Sequence, residues 1–580
     1  MSDTLGSFYD AVQSVVDNLV FYVWEFGIPV GPGVYVPWAA VLLLGAGLYF
    51  TIRLGAIQFR QFRHGVAVVS GKYASKEDTG DVTHFQALST ALSATVGIGN
   101  IAGVAIAIHW GGPGALFWMW VTALVGMATK FSEVTLSQKY RNVREPDPKK
   151  PWEGMIAGGP MFYIERGLGR IWKPLAVIFA LFLACVALFT GNAIQANTVA
   201  DTMSDELGLA AAVTGLITAT LVASVILGGI SRIGKVTAIL APAMAMVYIL
   251  GALTILVLHI QDLPAALGSV FHEAFSPKSG AAGVGAGAFL LTFAWGVRRG
   301  LFSNEAGMGS SPIAHAASKT EHPAQEGSVA MLGPFIDTIV VCTMTAMVII
   351  VTGSWGDPTP GEIDLSSGDI SYVAERDDGT FTFGEDAPEA VEVQDGKATG
   401  TGVGDVQIGW HQAPIPAFYL DDAQTEPFTG TIYAARELAV SENGDEHAVL
   451  YGDTVTAGAP LTMKAFQRGL PGDWGQWIVI AAVFLFAIST SIAWSYYGDR
   501  CTFYLLGPRA VLPYKLVFVG MHILGATAPL MVVWTVGDIL LGLVIIPNLI
   551  AVIFLAPRVR EEAKAYFERK PYLSRGTPRD

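Results

Sequence analysis

The chain has 580 residues, of which 52% are hydrophobic and only 14% charged, with a net charge of −14 and a mean hydropathy of +0.47. Soluble domains carry about 25% charged residues, so this balance excludes an ordinary soluble enzyme and points to an all-α polytopic membrane protein. The three cysteines, Cys185, Cys342 and Cys501, have no paired spacing, which argues against a disulfide framework or a cysteine metal site.

In chain order, residues 1–34 come first as an extracytoplasmic interfacial segment. Within it, Phe8–Ile28 is apolar but interrupted by Asp10, Asp17 and Glu25, and reads as a helix lying on the membrane surface. The first basic residue is Arg53, so the basic n-region of a secretory signal is missing. Apolar runs near the roughly 20 residues that cross a bilayer follow at 35–56, 92–110, 114–137, 172–192, 208–230, 234–259, 282–297, 328–353, 475–497, 511–533 and 536–556. That predicts eleven transmembrane helices, with a basic tail at 557–580.

Basic residues gather in alternate loops: Arg53 to Lys76, Lys139 to Arg170, Arg232 and Lys235, Arg298 to Lys319, Arg500 and Arg509, and the tail. Lys and Arg resist translocation, so these loops are expected in the cytoplasm. The N-terminus is then outside and the C-terminus inside, in the cell membrane.

Residues 354–470 interrupt the spans on the outer side. Between Gly353 and Trp474 there are 22 acidic and 5 basic residues. Pieces such as Gly379–Gly384, Val406–Ile408 and Gly430–Tyr433 alternate like short strands between turns, so a β-rich extracytoplasmic insertion is expected. A solvated disordered loop is the alternative; the aromatics Tyr372, Phe381, Phe383, Trp410 and Tyr433 favour folding.

Two spans look broken. In Ala94–His109, Gly97, Gly99 and Gly103 interrupt an apolar run beside Thr95 and Asn100. Unpaired backbone groups cost several kcal/mol each in hydrocarbon, so a break survives only where protein or a water-lined cavity satisfies them. Carriers use that exposed backbone to hold ions and small zwitterions. In Phe289–Ser318 an apolar half-span is expected to end near Trp295 and Gly296. The breaks lie about 200 residues apart and each opens a set of five spans. One leading helix and a five-plus-five inverted repeat is the pattern this makes.

Specific motifs accompany the breaks. They are Thr51–Arg60 (TIRLGAIQFR), Phe85–Leu92 (FQALSTAL), Gly97–Gly103 (GIGNIAG), Gly111–Trp120 (GGPGALFWMW), Gly158–Glu165 (GGPMFYIE) and Gly300–Ser310 (GLFSNEAGMGS). In these the chain resembles the alanine or glycine:cation symporter family, the sodium:alanine symporters. The resemblance covers nearly everything except 354–470. It implies a fold like the leucine-transporter superfamily and Na⁺-coupled uptake of alanine or glycine, with Na⁺ as coupling ion and no resident cofactor.

At the first break, carbonyls of Ser93, Thr95 and Val96 would face a cation, and backbone N–H groups at Gly99 would face a carboxylate. Gly97 and Gly99 let a ligand approach the backbone, and Asn100 would offer a side-chain oxygen to Na⁺. Close helix packing through Gly99 and Gly103 is the competing reading. Thr292, Phe293, Ala294 and Trp295 would line the pocket under an aromatic roof, or else pack against lipid. Arg298 or Arg299 would pair with Glu305, beside Ser303 and Asn304, as an inner gate or brace. His315 reads as an interfacial histidine. Asn192 and Gln195, near Gly191, would contact substrate or bond between helices. The resemblance implies Ser489 and Thr490 as hydroxyl ligands of Na⁺; bonding back to carbonyls one turn earlier is the alternative for them.

A zwitterion moves no net charge, so accumulation needs a coupled ion. One cation crossing about 100 mV gains about 2.3 kcal/mol, and a tenfold gradient adds about 1.4 kcal/mol. Together they support roughly 500-fold accumulation, so a single Na⁺ suffices. Proton coupling would ask for a carboxylate at the pocket, and 92–103 and 289–296 carry none. Enzyme chemistry is not expected: His272–Glu273 lacks a second zinc-binding histidine, and the spans hold no nucleophile–base pair. No nucleic-acid partner is expected. A membrane-anchored receptor or adhesion module built on the insertion is the remaining alternative. The choice between alanine and glycine, the Na⁺ number and the oligomeric state stay open.

Overall fold

The computed structural model describes residue 22 and residues 26–570, apart from 32–33, 76–77, 146–153, 276–285, 357, 366–369, 376–380, 385–389, 400–405, 411–412, 434–435, 437, 455–456, 473 and 529. Most of the expected surface helix Phe8–Ile28, the start of the span 282–297 and the end of the tail lie outside the described residues. At Gly27 and Ile28 the expected helix gives way to a strand, Gly27–Gly31, paired antiparallel with Val34–Pro37. Pro29 cannot donate within a helix, and the glycines and prolines around it favour a turn.

Helices make up the membrane part. Among the described residues, six are long and apolar enough to cross a membrane: Gly114–Tyr140, Arg170–Ser204, Gly229–Leu258, Pro323–Val351, Gly475–Leu506 and Pro508–Thr527. Counting each bent pair as one span raises this to eight, and Trp38–Arg53 and Ala211–Ile226 are shorter apolar helices. The protein is therefore polytopic. Large apolar side chains such as Ile239, Val257, Leu216, Leu516 and Leu524 are exposed on the outer helices, as expected where the surroundings are lipid. Gly114–Tyr140 and Gly475–Leu506 are the most enclosed and form the centre.

Two corrections concern single elements. The stretch expected as a basic tail at 557–580 begins within a helix, Ala556–Arg569, bent 59° from the apolar helix before it. It buries Val559, Ala563 and Tyr566, and the Tyr566 hydroxyl meets the His64 ring at 3.0 Å. The helix Ala286–Asn304 runs without interruption through Trp295 and Gly296, so the second break is not there. A lone helical glycine costs only about 1 kcal/mol. Gly296 is also a packing glycine, since a Cβ would lie 2.6 Å from the Ala115 carbonyl oxygen.

Between the helices ending at Val351 and starting at Gly475, the described residues carry strands. Five of them form one antiparallel sheet and four another. Thr359–Asp364 pairs with Val449–Thr454 in full register, Thr359 opposite Thr454, and closes the base. Ile363, Val391, Val393, Phe418, Phe428, Ile432 and Leu450 form a separate small core. An amphipathic helix, Gly458–Gly469, leads back to the membrane part, and its Thr462 hydroxyl donates to the Ile101 carbonyl at 3.1 Å.

Candidate functional site

The first break is built from its capping residues inward. Thr83 and Gln86 form a capping box that starts the helix His84–Thr95. The helix ends at Val96, whose ψ of 89° turns the chain out of register. Helical structure resumes in a wide turn, Gly99–Gly103, and continues as Val104–Gly111, the two halves lying 56° apart. The Asn100 carboxamide braces the gap. Its oxygen accepts the Gly97 N–H at 2.9 Å, and its nitrogen donates to Asp337 Oδ1 at 2.7 Å and Ser303 Oγ at 3.1 Å. The Asn100 oxygen is thus committed to backbone in this geometry.

The helix Gly475–Leu506 closes on the same gap. Thr490 Oγ1 donates to the Ser93 carbonyl at 3.0 Å, and Trp494 Nε1 donates to the Ala94 carbonyl at 3.3 Å. Glycine is required here: a Cβ on Gly97 would sit 2.5 Å from Thr490 Oγ1, and one on Gly99 would sit 2.9 Å from the Phe302 ring. The hydroxyls of Ser93, Ser489 and Ser491 are buried with no hydrogen-bond partner among the described residues. Leaving a buried polar group unpaired costs about 1–3 kcal/mol, so each is a hydroxyl that a polar ligand or ion could relieve.

The second break falls at 305–310. Glu305 takes a left-handed φ of 54°, Gly307 and Gly309 have φ of 96° and 78°, and a short helix restarts at Ser311–Ala316. Asn304 Oδ1 accepts the Ala306 N–H at 3.0 Å, and Asn548 donates to the Gly307 carbonyl at 2.7 Å. Glu305 accepts the Ser310 hydroxyl, and the cation acting most strongly on it is Lys130. Arg298 and Arg299 instead lie over the Trp295 ring, each 5.3 Å from its centroid. In place of the expected pairing with these arginines, Glu305 takes the Ser310 hydroxyl, with Lys130 acting on it through space, because the chain turns away after Asn304.

Between the breaks lies a narrow, partly open cavity, walled by Thr95, Gly97, Ile98 and Gly99, by Thr190 and Gln195, by Phe302, Glu305 and Met308, and by Thr490, Trp494 and Leu541. It gathers Thr95, Gly97, Gly99, Gln195, Glu305 and Thr490 from the residues singled out in the sequence. The Ser93 carbonyl meets Thr490, Ser489 is buried but does not wall the cavity, and Val96 is buried at the end of its half-helix. Gln195 Oε1 and Thr190 Oγ1 are buried without partners among the described residues.

Others fall elsewhere. Trp295 stacks on Trp110 at 5.9 Å, Phe293 meets Trp118 edge-on at 4.8 Å, and Thr292 backs onto Gly111. These three are on the aromatic side of the helix nearer its start, and the aromatic wall is Phe302. Asn192 turns away, donating to the Phe518 carbonyl at 2.7 Å and meeting the His522 ring at 2.7 Å. His315 is buried and shares the Glu326 carboxylate with His84. Sequence reasoning missed Phe302, Trp494, Thr190, Met308, Leu541 and the buried Asp337. Trp494 was within reach, since it lies one helical turn after Thr490.

The pattern of the Sodium:alanine symporter family matches residues 29–372 and 432–576. The chain belongs to that family. It is 37% identical over 558 residues to the sodium/alanine symporter AgcS of Methanococcus maripaludis, covering 96% of this chain and 97% of the relative. An uncharacterized transporter of Haemophilus influenzae is 36% identical over 96% of this chain and 97% of its own. The amino-acid carrier protein AlsT of Bacillus subtilis is 29% identical over 91% of this chain and 89% of its own. This symporter-family protein is a multi-pass membrane transporter, and residues 373–431 of its strand-bearing segment fall outside the family pattern.

Proposed function

We propose that this family member carries a small neutral amino acid, alanine or glycine, into the cell by Na⁺-coupled symport with alternating access. The observation that carries the reading is the meeting of the first break with Thr490 at the cavity. There the Ser93 carbonyl, the Thr95 and Val96 segment and the hydroxyls of Ser93, Ser489 and Thr490 form an oxygen-rich place for a hard monovalent cation. Asp337, held by Asn100 and Ser303, places a buried carboxyl group behind the break. Asn100 is best read as the brace that holds this geometry. Phe302, Met308, Trp494 and Leu541 give the cavity apolar walls that would border a short side chain.

In this reading eleven helices span the cell membrane, a leading helix followed by the two sets of five, with the N-terminus outside and the acidic insertion extracytoplasmic. Lipid, Na⁺ and the amino acid are the partners. Proton coupling is the second reading, favoured by two buried carboxylates near the breaks, Asp337 and Glu305. Competition against labelled alanine uptake in proteoliposomes tests the substrate class. Glycine and alanine should inhibit and leucine should not; inhibition by leucine alone would refute a small pocket.

A further inference from the structure

We propose that Glu305 is the carboxylate that receives the substrate's ammonium group, and that Lys130 and Glu133 are positioning residues that hold it at the cavity wall. The inference rests on the reading of the cavity as an amino-acid site.

Glu305 is the one charged side chain among the described residues that wall the cavity, and it is 2% exposed. A non-glycine residue in left-handed backbone costs of order 1–3 kcal/mol, which persists only where the surroundings over-determine it. Here they do. Ser310 donates to Glu305 Oε2. On the helix Gly114–Tyr140, buried Lys130 donates to Ser311 Oγ at 2.5 Å and acts electrostatically on both Glu305 and Glu133. Glu133, one turn on, accepts the Asn548 amide, which also donates to the Gly307 carbonyl at 2.7 Å. The loop that presents Glu305 is thus tied to one helix by Lys130 and Glu133.

Charge and hydrogen bonding then point to the ligand. Lys130 faces three buried carboxylates, Glu133, Glu305 and Asp337. The other buried cation nearby, Arg299, spreads over the rings of Trp295 and Phe302. A buried carboxylate that lacks a full complement of cations is costly, and a positive ligand relieves it. Of the remaining unpartnered atoms at the wall, Gln195 Oε1 only accepts and the Thr190 hydroxyl can accept or donate, while Thr490 spends its hydrogen on Ser93. The wall offers acceptors and a negative charge, which suits a primary ammonium with three N–H groups. A 2-hydroxy acid of the same shape, such as lactate, lacks that charge.

The test uses the full-length transporter in liposomes, measuring KM and Vmax for labelled L-alanine and inhibition by L-lactate. Glu305→Gln should raise the alanine KM by about 30-fold or more. Vmax should change far less, and the preference for alanine over lactate should fall by a similar factor. Lys130→Met should raise the alanine KM in the same way, and Lys130→Arg should restore it. If Glu305→Gln fails to reach the membrane, Glu305→Asp carries the test, because it keeps the charge but withdraws it; its alanine KM should rise with lactate inhibition unchanged. An unchanged alanine KM and alanine-over-lactate preference in the Glu305 variant that does fold would overturn the proposal. Wild-type protein that transports no amino acid would overturn the reading of the cavity itself.

Discussion

Thr490→Val isolates the hydroxyl on which the ion site depends. The side chain is 2% exposed and valine has nearly its shape, so packing against Gly97 and Ser93 is kept while the oxygen is lost. The Ser93 carbonyl loses the donor now 3.0 Å away, and the coupled ion loses one oxygen ligand. A buried polar group left unpaired costs about 1–3 kcal/mol. If most of that falls on the Na⁺-bound form, the Na⁺ concentration for half-maximal uptake rises about 5- to 150-fold. Thr490→Ser keeps the oxygen and should stay within about threefold. The assay is the Na⁺ activation curve of alanine uptake in proteoliposomes at fixed alanine. A half-saturating Na⁺ concentration within twofold of wild type in Thr490→Val, whatever the Vmax, would place the hydroxyl outside the ion site.

The other predictions are read more simply. Gly99→Ala should cut uptake at least tenfold, because its Cβ meets the Phe302 ring at 2.9 Å, and Phe302→Leu in the same protein should recover part of it; no loss in Gly99→Ala would refute the close approach. Asn100→Ala should weaken the Na⁺ dependence by stripping Gly97 and Asp337 of their brace, and unchanged Na⁺ activation would separate the brace from ion binding. Replacing 360–453 by a short linker should spare uptake, since Thr359 and Thr454 face each other at the base; abolished uptake in a protein that still reaches the membrane would favour the receptor reading. Burial lowers His64 to about 4 from 6.5, so the neutral ring is preferred while the helix Ala556–Arg569 is docked. Docking should therefore hold above about pH 6.5 and weaken as pH falls towards 4, read as faster hydrogen exchange in that helix. Exchange that is flat across this range would refute it.

The first break was legible because glycines in an apolar run have few other uses, and Gly97 and Gly99 do stand where a side chain would strike Thr490 and Phe302. The second was misplaced by ten residues. Trp295–Gly296 resembles an ending, but a packed glycine continues a helix, whereas Glu305 to Gly309 cannot, with three left-handed residues in five. That shift moves the aromatic wall from Trp295 to Phe302, seven residues or about 10 Å along a helix. Asn192 and Gln195 share a face of an ideal helix. The wide turn Phe189–Ala193 changes the register, sending Asn192 to Phe518 and Gln195 to the cavity. Asp337 was silent because one carboxylate in an apolar span does not announce that it will meet Asn100, 237 positions away. Lys130 and Glu133 were visible as an opposite-charge pair one turn apart inside a span, a signal of internal pairing in a membrane helix.

The central claim is that a Na⁺ gradient drives accumulation of a small neutral amino acid. Uptake of labelled L-alanine into proteoliposomes, with an inward Na⁺ gradient set against an inward H⁺ gradient, tests it most directly. Accumulation with Na⁺ alone, competed by glycine, is the predicted result. Accumulation with H⁺ alone would contradict it and move the ion chemistry to Asp337 and Glu305.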